Sequence, residues 1–161
     1  MPKVDLAYCM TLPPKKAVEY LKNKGYAVTW DWEELWQDAQ AQAFTVAKAT
    51  RLDILQEIRE AVEKTLKEGK TLAWFAKELT PVLQAKGWWG RQEHVDDETG
   101  EVSQVQLGSP WRLQTIYRTN LQTAYMAGRY AEQLANVEDR PYWQYVAILD
   151  GRTRPSHRAL N

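Results

Sequence analysis

The stretch Ser109-Pro110-Trp111-Arg112-Leu113-Gln114-Thr115-Ile116-Tyr117-Arg118-Thr119-Asn120-Leu121-Gln122-Thr123-Ala124-Tyr125-Met126-Ala127-Gly128-Arg129-Tyr130 is the longest helical pattern in the chain. Serine is a favoured N-cap, and proline is tolerated at the first helical position because its missing N–H has no partner there anyway. The pattern runs to about Asn136, with Leu113, Ile116, Tyr117, Leu121, Ala124, Gly128, Ala131, Leu134 and Ala135 on the side expected to be buried. Within it, Ala124, Ala127, Gly128 and Ala131 are small, so a neighbouring element can approach the backbone closely. A glycine inside a helix costs about 1 kcal/mol relative to alanine, which points to a packing role for Gly128.

Upstream of this helix the signals are also mostly helical. Pro13-Pro14 followed by Ala17, Val18 and Leu21, then Gly25, reads as a short helix with a glycine stop. Tyr26 to Trp30 alternates briefly, as a strand would. Asp31 is a plausible N-cap for a second helix with Trp32, Leu35, Trp36, Ala39, Ala43, Phe44 and Ala47 on its apolar side. Thr50 with Asp53 resembles a capping box that opens a helix through Leu55, Ile58, Val62 and Leu66 to Gly69. Thr71 starts a further helix, which Thr80-Pro81 kinks or re-initiates before Gly87.

The segment from Gly87 to Gly108 breaks the pattern. Its acidic turn, Asp96-Asp97-Glu98-Thr99-Gly100, is flanked by Val95, Val102, Val105 and Leu107, the pattern of an exposed hairpin or loop. The acids do not have EF-hand spacing, so a calcium loop is the weaker reading. Downstream, Tyr142-Trp143-Gln144-Tyr145-Val146-Ala147-Ile148-Leu149 reads as a buried strand, and Asp150-Gly151 as a hairpin turn. The returning strand would have to lie in Arg152–Asn161, where Pro155 interrupts it. The expectation is therefore that the natural protein continues beyond Asn161. The fold class expected is mainly α. It comprises a helical N-terminal region over 1–89, an exposed hairpin or loop over 90–109, and a long helix leading into the truncated start of a small α+β domain over 110–161.

Composition narrows the function classes. Hydrophobic residues make up 44% of the chain and the formal net charge is zero, which argues against a dedicated nucleic-acid coat. The eight tryptophans fit an assembly subunit, since tryptophan is enriched at interface hot spots, or else fill a helical core. As partner anchors the candidates are Trp32, Trp36, Trp88 and Trp89. Cys9 stands alone, so no internal disulfide forms and a reducing compartment is expected. No secretory core follows Met1, and no apolar run approaches the ~20 residues of a membrane span. From Trp111 onward, seven arginines face four acids. Arg112, Arg118 and Arg129 are candidate contacts to DNA phosphates, without sequence preference. The bland alternative is an ordinary solvated helix face.

Asp150, Arg152, Arg154 and His157 hold the ingredients of a phosphodiesterase site, but no second carboxylate lies near them in sequence. The stronger reading is structural, with Asp150 capping a turn and pairing with the arginines. No phosphate loop, Cys-x-x-Cys pair, nucleophile elbow or zinc-binding helix is present, and no cofactor, metal site or catalytic residue is expected.

Two segments carry a family resemblance. The first is the run from Tyr117 to Tyr130 with its Arg118-Thr119-Asn120 start and Ala127-Gly128-Arg129 step. The second is Trp143-Gln144-Tyr145 followed by Asp150-Gly151-Arg152-Thr153-Arg154-Pro155-Ser156-His157. Together they resemble the opening of the Mu F-like phage head morphogenesis domain. The N-terminal part, with Trp30-Asp31-Trp32 and Ala43-Phe44-Thr45-Val46, resembles the leader of the same minor head proteins. The resemblance implies a non-enzymatic minor capsid protein of a tailed phage or prophage, acting near the portal in head assembly and DNA packaging or ejection. Implied partners are the portal protein or inner capsid and double-stranded DNA, with a possible oligomer and no membrane. Implied locations are the host cytoplasm and then the virion head. A nuclease or toxin attached to a phage module is the alternative.

Overall fold

A computed structural model describes residues 14–31, 42–96, 99–144, 146, 150–151 and 153–159. The chain is mainly α with short strands. It divides into two compact units between Arg129 and Tyr130.

In the first unit, helix α1 (Lys15–Asn23) follows Pro14 and buries Ala17 and Leu21. Strand β1 (Gly25–Tyr26) then pairs in parallel with β2 (Ala43–Phe44). The apolar residues Ala43, Phe44 and Ala47 therefore do not extend a helix from Asp31, as their spacing suggested. Phe44 and Val46 are buried on either side of Thr45, the two-residue period of an extended chain. The chain then turns at Lys48, whose φ is +62° and whose N–H donates to Trp30 O at 2.8 Å. The remainder of the expected helix, 32–41 with Trp32 and Trp36, lies outside the described residues.

Helix α2 (Leu52–Glu68) is the centre of the core. Ile54, Leu55, Ile58, Val62 and Leu66 recur at helical spacing and are buried. Gly69 ends it in the left-handed conformation at φ +63°, a conformation that costs glycine little. The N-cap is Arg51, which makes no side-chain cap bond, so the Thr50–Asp53 capping box does not form. Asp53 is engaged elsewhere: Arg51 reaches it at 2.8 Å and Lys86 at 3.3 Å. Burial works against the Asp53 carboxylate, but hydrogen bonds from Lys86 and Arg51 outweigh it and hold its pKa below the usual value.

Helix α3 (Leu72–Ala85) begins as read, with Thr71 Oγ1 accepting from the Trp74 N–H at 3.3 Å. It runs through Pro81 without a break and buries Phe75, Leu79 and Leu83. An antiparallel hairpin follows, β3 (Arg91–Val95) against β4 (Val102–Gln106). His94 lies in β3, and its ring stacks on Trp30 at 3.8 Å. Asp96 Oδ1 closes the turn by accepting from the N–H and hydroxyl of Thr99. Helix α4 (Pro110–Ala135) starts at Ser109, whose Oγ accepts from the Arg112 N–H at 3.2 Å. Its buried residues are Leu113, Ile116, Ala124 and Gly128, whereas Leu134 is 47% exposed.

In the second unit, Tyr130 meets Trp143 edge to face at 5.7 Å. The described part of the expected strand, 142–144 and 146, is neither paired nor buried, and Tyr142 is 93% exposed. After the Asp150 turn, the chain enters a short helix α5 (Pro155–Arg158) and not a returning strand. Proline fits the first helical turn, which is why Pro155 opens this helix.

Candidate functional site

The residues expected to meet partners fall into three settings. The first is the core. Trp88 is 3% exposed, and its indole N–H donates to Lys48 O at 2.7 Å. The Arg112 guanidinium lies 4.9 Å over its ring. Arg112 also donates to Gln106 O at 2.7 Å and to Ala47 O. It thus ties α4, β4 and the loop after β2 to one tryptophan. Burial lowers the Arg112 pKa, though a guanidinium stays charged at any ordinary pH. Its donors are directed at main-chain carbonyls and not at an outside phosphate. Trp89 is half-buried, against Gly108.

The second setting is the outer face of α4. Arg118, Thr119 and Arg129 are exposed. Arg118 reaches Gln114 at 2.7 Å once that amide presents its oxygen. Asn120 is half-buried and donates to Ile116 O at 2.9 Å. From Pro110 to Tyr130 the helix has no carboxylate, so the field along this face is set by the two exposed arginines. Trp111, 71% exposed, lies on the same helix. The Ser109-Pro110 pair ahead of it marks a helix start and carries no signal that the next residue is exposed.

The inner face of α4 explains the glycine. A Cβ on Gly128 would lie 2.9 Å from Ala17 N and 3.3 Å from Ala17 Cα, so main chain of α1 occupies that space. Gly128→Leu is therefore expected to push α1 away from α4, at an overpacking cost of about 1–3 kcal/mol. A thermal melt should show Tm lowered by roughly 4–10 °C. An unchanged Tm would mean that the two helices do not depend on this contact.

The third setting is the turn of the second unit. The Asp150 carbonyl accepts from the Thr153 N–H at 3.2 Å and from Arg158 Nη2 at 2.8 Å. The Asp150 carboxylate accepts from the Thr153 hydroxyl at 3.1 Å. Arg154 is the N-cap of α5, and the His157 N–H donates to its carbonyl at 3.0 Å. Asp150, Arg154 and His157 thus share one compact turn and helix, while Arg152 lies outside the described residues. Thr153 and Arg158 close the turn and were not singled out from sequence. Arg158 lies one residue past the motif, and its partner is a carbonyl, which no side-chain pattern marks.

These elements fall within a known family. A family model described as Phage Mu protein F like protein matches residues 56–161, more than half of the chain. The chain belongs to this Mu F-like family. A protein of Escherichia phage Mu, provisionally named capsid assembly protein F, is 55% identical over 158 residues, which cover 98% of this chain and 36% of that protein. The Mu-like prophage FluMu F protein of Haemophilus influenzae is 51% identical over 134 residues, covering 83% of this chain and 31% of its own length. The chain therefore spans about a third of the length of these two Mu F-like relatives. No solved structure matches it.

Proposed function

We propose that the chain is part of a structural minor head protein of a Mu-like phage or prophage, acting in head assembly and without catalysis of its own. The observation that supports this most strongly is the 55% identity, across 98% of the chain, to a protein named for capsid assembly. The geometry of the motif fits the same reading. Asp150 and its neighbours close a turn and start a helix, work that serves shape and not bond-breaking.

The partners in this proposal are the portal protein or the inner capsid wall, with the packaged DNA as a sequence-independent contact. The segment 110–161 opens the head morphogenesis domain. Of the anchors expected from sequence, Trp89 keeps part of its ring at the surface, Trp32 and Trp36 remain candidates, and Trp88 serves the core. Arg118 and Arg129 remain as phosphate contacts. Assembly in the host cytoplasm and residence in the head follow from this role, and no helix among the described residues is long and apolar enough to cross a membrane.

Co-expression with the cognate portal protein tests the proposal, and a stable complex isolated by size exclusion is the expected result. Absence of association at micromolar concentration with both portal and capsid protein would overturn the assembly reading. Metal-dependent plasmid nicking that vanishes in His157→Ala would favour the enzyme instead.

A further inference from the structure

Strand β4 reads Val102-Ser103-Gln104-Val105-Gln106, without a charge, proline or glycine. Its partner β3 reads Arg91-Gln92-Glu93-His94-Val95. A sheet edge presents a row of unpaired N–H and C=O groups that templates another strand, and proteins usually guard it with charges, prolines or bulges. β3 has such protection and β4 has none. The two strands form a two-stranded sheet, so among the described residues the outer edge of β4 is open.

The register identifies the groups on that edge. Pairing runs from Arg91↔Gln106 to Val95↔Val102. At its two ends, the Asp96 N–H donates to Glu101 O and the Leu107 N–H to Gly90 O, both at 2.9 Å. Antiparallel pairs alternate between hydrogen-bonded and non-bonded, so Ser103 and Val105 turn their main-chain groups toward β3. Val102, Gln104 and Gln106 turn theirs outward. The Gln106 carbonyl is already occupied, because Arg112 donates to it at 2.7 Å. Among the described residues, what stays open is the N–H and C=O of Val102 and of Gln104 and the N–H of Gln106, and Val102 and Gln104 are exposed.

We propose that this edge is where a second copy of the chain docks, β4 against β4, antiparallel about a two-fold axis at Ser103. Val102 of each copy then faces Gln104 of the other. Four main-chain hydrogen bonds form, and two hairpins become one four-stranded sheet. The register centred on Gln104 would set Val102 against Gln106 of the second copy, whose carbonyl Arg112 holds, so it is disfavoured. Charge also points to a second copy. A neutral strand meets itself without like charges facing one another, and the two-fold uses each short edge twice. This inference stands independently of the proposed role in the head.

Sedimentation equilibrium on the full chain tests it. The weight-average mass should rise from 18.7 kDa toward twice that value with increasing concentration, with a Kd of about 100 µM expected for so short a seam. Gln104→Pro removes an outward N–H, at a place where edge strands accept proline, together with one exposed side-chain hydrogen bond to Glu93 at 3.3 Å. It should weaken self-association at least tenfold while the circular dichroism spectrum stays unchanged. Ser103→Lys sets two like charges opposite one another at the two-fold and leaves the backbone intact, so it gives the same reading should the proline variant unfold. Wild-type protein that stays monomeric to about 1 mM overturns the proposal. So does a dimer that survives Ser103→Lys in folded protein.

Discussion

Trp88→Ala is expected to remove about 3–5 kcal/mol of stability, enough to abolish or nearly abolish the folded first unit. The tryptophan is 3% exposed and sits where several parts of that unit meet. Its main-chain N–H donates to Leu83 O at 2.8 Å, which ends α3. Its indole N–H satisfies Lys48 O, and the face of its ring carries Arg112. Truncation therefore leaves a cavity, an unpartnered carbonyl and a guanidinium without its ring. Trp89→Ala is the comparison, because Trp89 is half-buried and should cost only about 1 kcal/mol. Urea denaturation of the two variants separates them. Equal midpoints would show that Trp88 carries no more of the core than its neighbour.

That pair also shows where reading the sequence stops. Adjacent tryptophans look alike in a pattern, and only the long-range return of Lys48 and Arg112 decides that Trp88 lies inside. The same holds for Ala43 and Phe44. Their spacing from Trp36 and Ala39 suits a helix, yet Gly25 and Tyr26 recruit them into a parallel pair, a partnership that no local signal announces. Local chemistry fared better. Ser109-Pro110, Thr71 and Gly69 mark helix ends through caps made within a few residues, and each does so in the structure. The acidic turn with flanking valines likewise forms a hairpin. Thr50 and Asp53 failed as a cap because Arg51 and Lys86, from the near and far ends of the α2–α3 pair, take the aspartate first. At the other end of the chain, Pro155 suits an interruption in a strand and the first turn of a helix equally well, and the structure makes it the latter.

Legibility of the candidate site divides along the same line. The Asp150–His157 motif was visible as a cluster because its members lie within eight residues, and the structure keeps Asp150, Arg154 and His157 in one turn. The arginines of α4 were legible as a set but not as individuals. Periodicity places Arg118 and Arg129 on one face, eleven residues apart. It gives no hint that Arg112 bends back onto a carbonyl far away in sequence.

Arg112 is therefore expected to behave unlike its two companions. Arg112→Ala removes two charge-assisted hydrogen bonds to carbonyls, each worth about 1.5–3 kcal/mol, and a cation–π contact as well. Discounted for its partial exposure, the loss should be about 3 kcal/mol. Arg118→Gln and Arg129→Gln change exposed side chains and should leave stability within about 0.5 kcal/mol. DNA binding should sort the three in the opposite order. Phosphate contacts release counterions, so affinity falls steeply with salt, and each lost contact lowers that slope by about 1. The Arg118→Gln and Arg129→Gln double variant should thus show a slope lower by about 2, with no change of sequence preference. Arg112→Ala, measured at a temperature where it stays folded, should keep the wild-type slope. If instead Arg112→Ala melts like wild type and loses slope, its guanidinium turns outward in solution. The tie between α4, β4 and the Lys48 turn would then have to rest on Trp88 alone.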